Sequence, residues 1–169
     1  NEVSATVREL AASRAADGTT ATFSLTAKLN PTGMDVSATG TTISGAGTLT
    51  NGAGRTLTIT TGAFTQQTGA TLDGGGALTL SAVTADFQTG FTLSTLTATS
   101  SSLTFATNLS TATLVLNLAS TTVNGPGTLT NVAGQTLTLS ASTIAATSAL
   151  DNQGLLVTPG GTAITGPLT

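Results

Sequence analysis

The 169-residue chain has no cysteine, histidine, tryptophan or tyrosine, and only 7% of its residues are charged, against an ordinary share of about 25%. Without cysteine there are no disulfides and no thiolate metal sites, and the redox compartment is not written in the sequence. Without histidine, any acid–base chemistry would fall to carboxylates alone. Cations are scarce and confined to the first third: Arg8, Arg14, Lys28 and Arg55. From Thr56 onward the charged side chains are Asp73, Asp86 and Asp151. Nucleic-acid binding needs several cations to displace phosphate counterions, and aromatic platforms if the strand is single, so no nucleic-acid partner is expected. The same deficit argues against electrostatic docking on a membrane, and no apolar run approaches the roughly 20 residues of a span.

What the chain does have is threonine, 41 residues of it, together with 20 glycines and 38% apolar residues. Threonine is β-branched and fits pleated strands better than helices, while glycine supplies the turns between them. The composition is that of an all-β protein whose solubility rests on hydroxyls and amides. Such a Thr/Ser/Gly/Ala-rich chain, poor in Lys and Glu, leans toward an extracellular or cell-surface location. The first residue is Asn1 rather than Met, which reads as a processed chain or an excised fragment.

The segment "GTLTNGAGRTLT" at 47–58 returns as "GTLTNVAGQTLT" at 127–138, and 44–60 matches 124–140 at 11 of 17 positions. The eighty-residue interval divides into four steps of twenty. From Ile43, steps of about twenty reach Ala63, Val83, Leu103 and Val123, then Ile144 and Ile164, with Phe23 before them. Spacings of 18 to 21 residues divide the chain into coils, which is the signature of a solenoid. Within a coil, apolar residues alternate with threonine, so one face of each strand is aliphatic and the other hydroxylated. Three such strands per coil, turned at glycines, close into a triangle.

The expected architecture is a right-handed parallel β-helix of about twenty residues per coil. Leu49, Leu57, Leu72, Leu78, Leu103, Val123, Leu129, Leu137, Ile144 and Leu150 should point inward. A β-sandwich would not predict recurrence at twenty, and a helical solenoid needs helix formers that are missing here. Residues 1–18, with Val3, Val7, Leu10 and Ala11 at helical spacing, read as an N-terminal cap. Residues 19–169 read as the solenoid, about seven coils with the last incomplete.

The stretches "GTLTNVAGQTLTLSASTI" and "ALDNQGLLVTPGGTAITGPLT" resemble repeat units of large secreted bacterial β-helix proteins of the filamentous-haemagglutinin and autotransporter-passenger kind. The resemblance covers residues 41–169. It implies a non-enzymatic adhesin, surface fibre or stalk that self-associates or belongs to a longer fibre. The partners implied are further coils of a parent chain, a second copy stacked end to end, or a host or surface glycan or protein.

Catalysis by a β-helix would need clustered carboxylates. Asp73 and Asp151 follow Leu72 and Leu150 in comparable places but four coils apart, roughly 19 Å at the strand spacing, and Asp86 stands in a coil of its own. A glycan-active protein is therefore the last of three readings, and no catalytic residue, cofactor or metal is expected. "GAGTLTNGAG" and "DGGGALTL" read as turn glycines rather than a phosphate loop or a calcium repeat, and the sequon at Asn108 reads as a polar turn.

Two surface features remain. Thr56, Thr58, Thr79, Thr95, Thr97, Thr136 and Thr138 flank inward leucines in successive coils and form a threonine file, a pattern similar to ice-binding Thr-rich solenoids. Against ice stand Thr113/Val115 and Leu155/Val157 at the corresponding places, and coil lengths that should break lattice register. Asn131 and Asn152 occupy matching turns and should stack as an amide ladder.

Overall fold

A computed structural model describes residues 22–23, 36–38, 41–43 and 48–169, with side chains from residue 48 onward. The expected cap at 1–18 lies outside the described residues. The fold is an all-β parallel solenoid of about six turns with no helix among the described residues. Thirteen strands form one continuous sheet that turns a corner, giving two faces of the coil. Two smaller sheets, of two and three strands, make the third face.

Face I is built from Val36–Ala38, the first halves of the long strands Thr56–Gln66 and Ala77–Phe87, then Thr95–Thr99, Val115–Ala119, Thr136–Ser140 and Leu155–Val157. Face II takes Thr22–Phe23, Thr41–Ile43, the second halves of the two long strands, Ser102–Phe105, Thr122–Asn124, Thr143–Ile144 and Ala163–Ile164. Face III pairs Thr48–Thr50 with Thr71–Asp73 and, separately, Leu109–Ser110 with Thr128–Asn131 and Ala149–Asn152. All of these strand pairings are parallel.

Period-2 alternation drives the packing. On face I the register Leu57, Leu78, Leu96 stacks leucine on leucine, and these side chains are buried. Phe64, Ala85, Leu103, Val123 and Ile144 stack likewise and are buried on face II, as are Leu129 and Leu150 on face III, with Leu109 partly buried beside Leu129. Of the ten residues expected inward, nine are in the buried core and Leu49 is partly buried against it. Full burial of such a side chain contributes roughly 1.5–3 kcal/mol. Where face III is interrupted, Leu93 and Phe91 fill the column, and Phe91 joins Phe64, Phe87 and Phe105 in a cluster with ring centroids 5.0 Å apart at the Phe87–Phe91 pair.

The arithmetic of twenty slips in the early coils. Ala63 is exposed and pairs with Thr84, while Phe64 takes the inward place. Val83 is buried, but at the corner opposite Gly62, and Ala85 fills the column instead. Ile43 pairs with Gln66, not with Ala63. The cause is that inward positions follow strand register, and the loops between strands differ in length from coil to coil.

That variation is unevenly distributed. The corner from face I to face II is constant over five successive coils: Leu57 to Phe64, Leu78 to Ala85, Leu96 to Leu103, Leu116 to Val123 and Leu137 to Ile144 are each seven residues, while Val36 to Thr41 before them is five and Leu156 to Ile164 after them is eight. At this corner each of the five coils sets a non-glycine residue at positive φ, namely Thr61, Ala82, Ser100, Ser120 and Ala141, with φ between 63° and 47°, and Gly62 follows Thr61 at 83°. The corner is therefore turned by stacked left-handed residues that are not glycine. Next to them a hydroxyl ladder fills the inside of the bend: Ser101 and Ser142 donate to Thr99 and Ser140 carbonyls at 2.8 and 2.9 Å. Thr121 donates to Ala119 O at 2.9 Å, and Thr162 donates to Leu139 O. Within these five coils the other two corners absorb the differences in coil length; Phe64 to Leu72 is eight residues and Leu103 to Leu109 is six.

Candidate functional site: the threonine face

The outward side of face I carries three columns. The first runs Thr56, Ala77, Thr95, Val115, Thr136, Leu155. The second runs Thr58, Thr79, Thr97, Asn117, Thr138, Val157. The third, which the sequence reading did not include, runs Thr60, Ser81, Thr99, Ala119, Ser140. Its signal was present as the pattern T-x-T-x-T/S. All seven threonines of the expected file therefore lie on one sheet face.

Two details of that file are corrected. Thr113 lies before the strand Val115–Ala119, and the flanks of inward Leu116 are Val115 and Asn117. Coil lengths of 18 to 21 residues do not break the register, because face I stays in ladder from Thr56 to Val157 while the loops elsewhere take up the difference. The columns are spaced by about 4.8 Å between coils and about 6.7 Å along a strand. Asn117 belongs to its column chemically as well as geometrically, since its Nδ2 donates to Thr97 Oγ1 at 3.4 Å.

The face is neutral throughout, and it alternates. The first, third and fifth coils present Thr56/Thr58/Thr60, Thr95/Thr97/Thr99 and Thr136/Thr138/Ser140. The coils between and beyond carry Ala77, Val115 and Leu155 in the first column. Val115 is 58% exposed, Leu155 60% and Val157 37%, and among the described residues the one other exposed large apolar side chain is Leu168.

The carboxylates are not gathered. Asp73 projects from the two-stranded sheet and Asp151 from the three-stranded sheet of face III, and Asp86 stands on face II between Thr65 and Thr104. Among the described residues no group of three or more His, Cys, Asp or Glu side chains could hold a metal. Asp86 and Asp151 accept from neighbouring glutamines, Gln88 Nε2 at 2.9 Å and Gln153 Nε2 at 2.8 Å.

In the described parts of the two glycine-rich motifs, Gly54, Gly74 and Gly75 take positive φ at turns. Asn108 is exposed and its Oδ1 accepts from the Thr128 N–H at 3.0 Å, bracing one coil on the next.

Asn131 is fully buried and donates from Nδ2 to Asn152 Oδ1 at 2.8 Å and to Leu155 O at 3.2 Å, while Thr111 Oγ1 donates to Asn131 Oδ1 at 3.1 Å. The ladder is thus a three-coil chain, Thr111–Asn131–Asn152. A comparable bridge was not anticipated: buried Gln66 donates to Ala70 O, Thr89 Oγ1 and Gly90 O at 3.1, 2.8 and 3.2 Å, pinning two long loops. A polar side chain among inward aliphatics was its one trace in the sequence.

No family model, curated protein or solved structure shows significant similarity to the chain.

Proposed function

We propose that the protein is a non-enzymatic structural or adhesive module of an extracellular or cell-surface assembly, with face I as its contact surface. The observation that supports this most directly is the composition of that face: a flat, uncharged, regularly spaced field of hydroxyls and methyls, interrupted by exposed Val115, Leu155 and Val157. Exposed apolar side chains grouped on one face mark contact with other macromolecules. Contact there desolvates no carboxylate, so it avoids the heavy cost of burying an unpaired charge. Further coils of a parent chain, or an end-to-end neighbour, would pair the outer edge of Leu155–Val157 and Ala163–Ile164 in the same parallel register.

The test is retention under shear of protein-coated microspheres on neutral alkyl- and hydroxyl-terminated monolayers. The triple variant Thr58→Lys, Thr97→Lys, Thr138→Lys on face I should lose most of the retention. The matched variant Thr84→Lys, Thr122→Lys, Thr143→Lys on face II should keep it. Equal retention by both variants overturns the assignment of the contact face.

A second reading, ice binding, is supported by the in-register threonine columns, which set hydroxyls and methyls on a two-dimensional repeat. It requires a gap between melting and freezing temperatures in a nanolitre osmometer that Thr97→Lys abolishes. The exposed Leu155 and Val157 weigh toward the first reading, because they end the hydroxyl lattice within the face.

A further inference from the structure

We infer that face I is a homotypic surface, on which a second copy of this chain docks face to face about a two-fold axis that lies between the two sheets, parallel to their strands. The inference rests on the reading of face I as the contact face and names its partner.

Charge selects the surface. The chain has a net charge of −3, and among the described residues faces II and III carry Asp86, Asp73 and Asp151. Pairing two copies through either of those faces would desolvate carboxylates and set like charges against each other, a cost that association must overcome. Face I has no ionised side chain from Thr56 to Val157. Among the described residues it is the one side on which two copies meet without opposing charge.

Shape selects the orientation. Closed pairs use the same patch on both partners. A two-fold axis between the third and fourth of the six coils sets coil one on coil six, two on five and three on four. Each threonine triplet then faces a coil that carries Ala77, Val115 or Leu155. The axis preserves strand direction, so each column of one copy meets the same column of the other. Val157 comes over Thr58 and Asn117 over Thr97, while Leu155 comes over Thr56 and Val115 over Thr95. The large exposed side chains are thereby set against short ones, as close packing of two sheets about 10 Å apart requires.

Area sets the strength. Six strands by five residues cover roughly 400 Å² per copy, about half of the ~800 Å² each partner contributes to a standard stable interface. A single copy of this length should therefore associate weakly and reversibly, and longer arrays of the same coils more tightly in proportion to their length.

Sedimentation equilibrium of the whole chain up to about 1 mM tests this. The weight-average mass should rise toward twice the monomer mass with concentration. Thr97→Lys, near the axis, should weaken association at least tenfold, and Thr122→Lys on face II should leave it unchanged. Circular dichroism should give the same strand content for all three proteins. In a chain without native cysteine, Thr58→Cys with Val157→Cys should give covalent dimers on mild oxidation, whereas Thr58→Cys with Thr138→Cys should not.

A wild-type monomer at 1 mM overturns the inference. So does association that Thr97→Lys leaves untouched, which would place the contact at the strand edges instead. If the chain stays monomeric while the face I triple variant still loses bead retention, the homotypic partner is refuted and the contact face stands.

Discussion

Replacing Leu129 by aspartate sets a carboxyl in the face III column between Leu109 and Leu150. Leu129 is 3% exposed, and its surroundings in the core are aliphatic and aromatic side chains with scattered hydroxyls and amides. Losing the leucine and leaving its space part-filled costs about 2–5 kcal/mol. No cation in that column pairs the new charge, so burial pushes the aspartate pKa well above the usual carboxylate range. At pH 7, holding the group neutral against an unfolded-state value of about 3.9 costs a further ~4 kcal/mol.

The whole deficit, about 6–9 kcal/mol, rivals the 5–15 kcal/mol of a typical domain. Because the folded-state pKa is the higher one, the second part vanishes below the unfolded pKa and grows as pH rises above it. At pH 4 the deficit should therefore shrink to the leucine cost alone. Thr130→Asp on the outward side of the same strand is the comparison. It lies beside Asp151 in the ladder, and the like-charge contact costs at most about 1 kcal/mol.

Urea titration followed by far-UV circular dichroism is the assay, since a chain without tryptophan or tyrosine offers little intrinsic fluorescence. Equal midpoints for the two variants at pH 7 would show that the faces are assigned backwards. A Leu129→Asp deficit unchanged between pH 7 and pH 4 would show that the carboxyl is not buried.

Ala141→Gly should raise stability by about 0.5–1 kcal/mol, because relief of a left-handed L-residue outweighs the added freedom of the unfolded chain; a lower urea midpoint would refute the strain at φ 47°. Gly127→Ala should do the opposite, losing about 1–3 kcal/mol, since a Cβ there would lie 2.2 Å from the Thr107 carbonyl oxygen; an unchanged melting temperature would contradict that close approach. Asn131→Ala strips partners from Thr111, Asn152 and the Leu155 carbonyl and should cost about 2–3 kcal/mol. Amide exchange in the last two coils should quicken in that variant; exchange matching the wild type would show that the ladder does not bind the coils together.

The stacking of Leu129 on Leu109 and Leu150 was legible because alternation of period 2 fixes which side chains share a face, whatever the loops do. The threonine file was legible for the same reason, each threonine being the neighbour of an inward leucine. Its third column and its register were not, because a sequence gives the distance along the chain between coils and not where surplus residues are spent. The step through Ala63 and Val83 failed on that point: a fixed stride follows the chain, whereas Phe64 and Ala85 follow the ladder. Gln66 was hidden because a lone polar residue in an inward place shows its purpose only when the loops it holds, at Ala70 and Gly90, come within reach.

By itself the sequence determined the period, the inward aliphatic set and the scarcity of charge on the outward surface, all of which depend on local alternation and side-chain chemistry. Tertiary structure alone decided the seven-residue corner shared by five successive coils, the left-handed residues that turn it and the alignment of hydroxyls from Thr56 to Thr138. Those depend on hydrogen bonds between coils some twenty residues apart, which hold face I in register while the other corners lengthen and shorten around it.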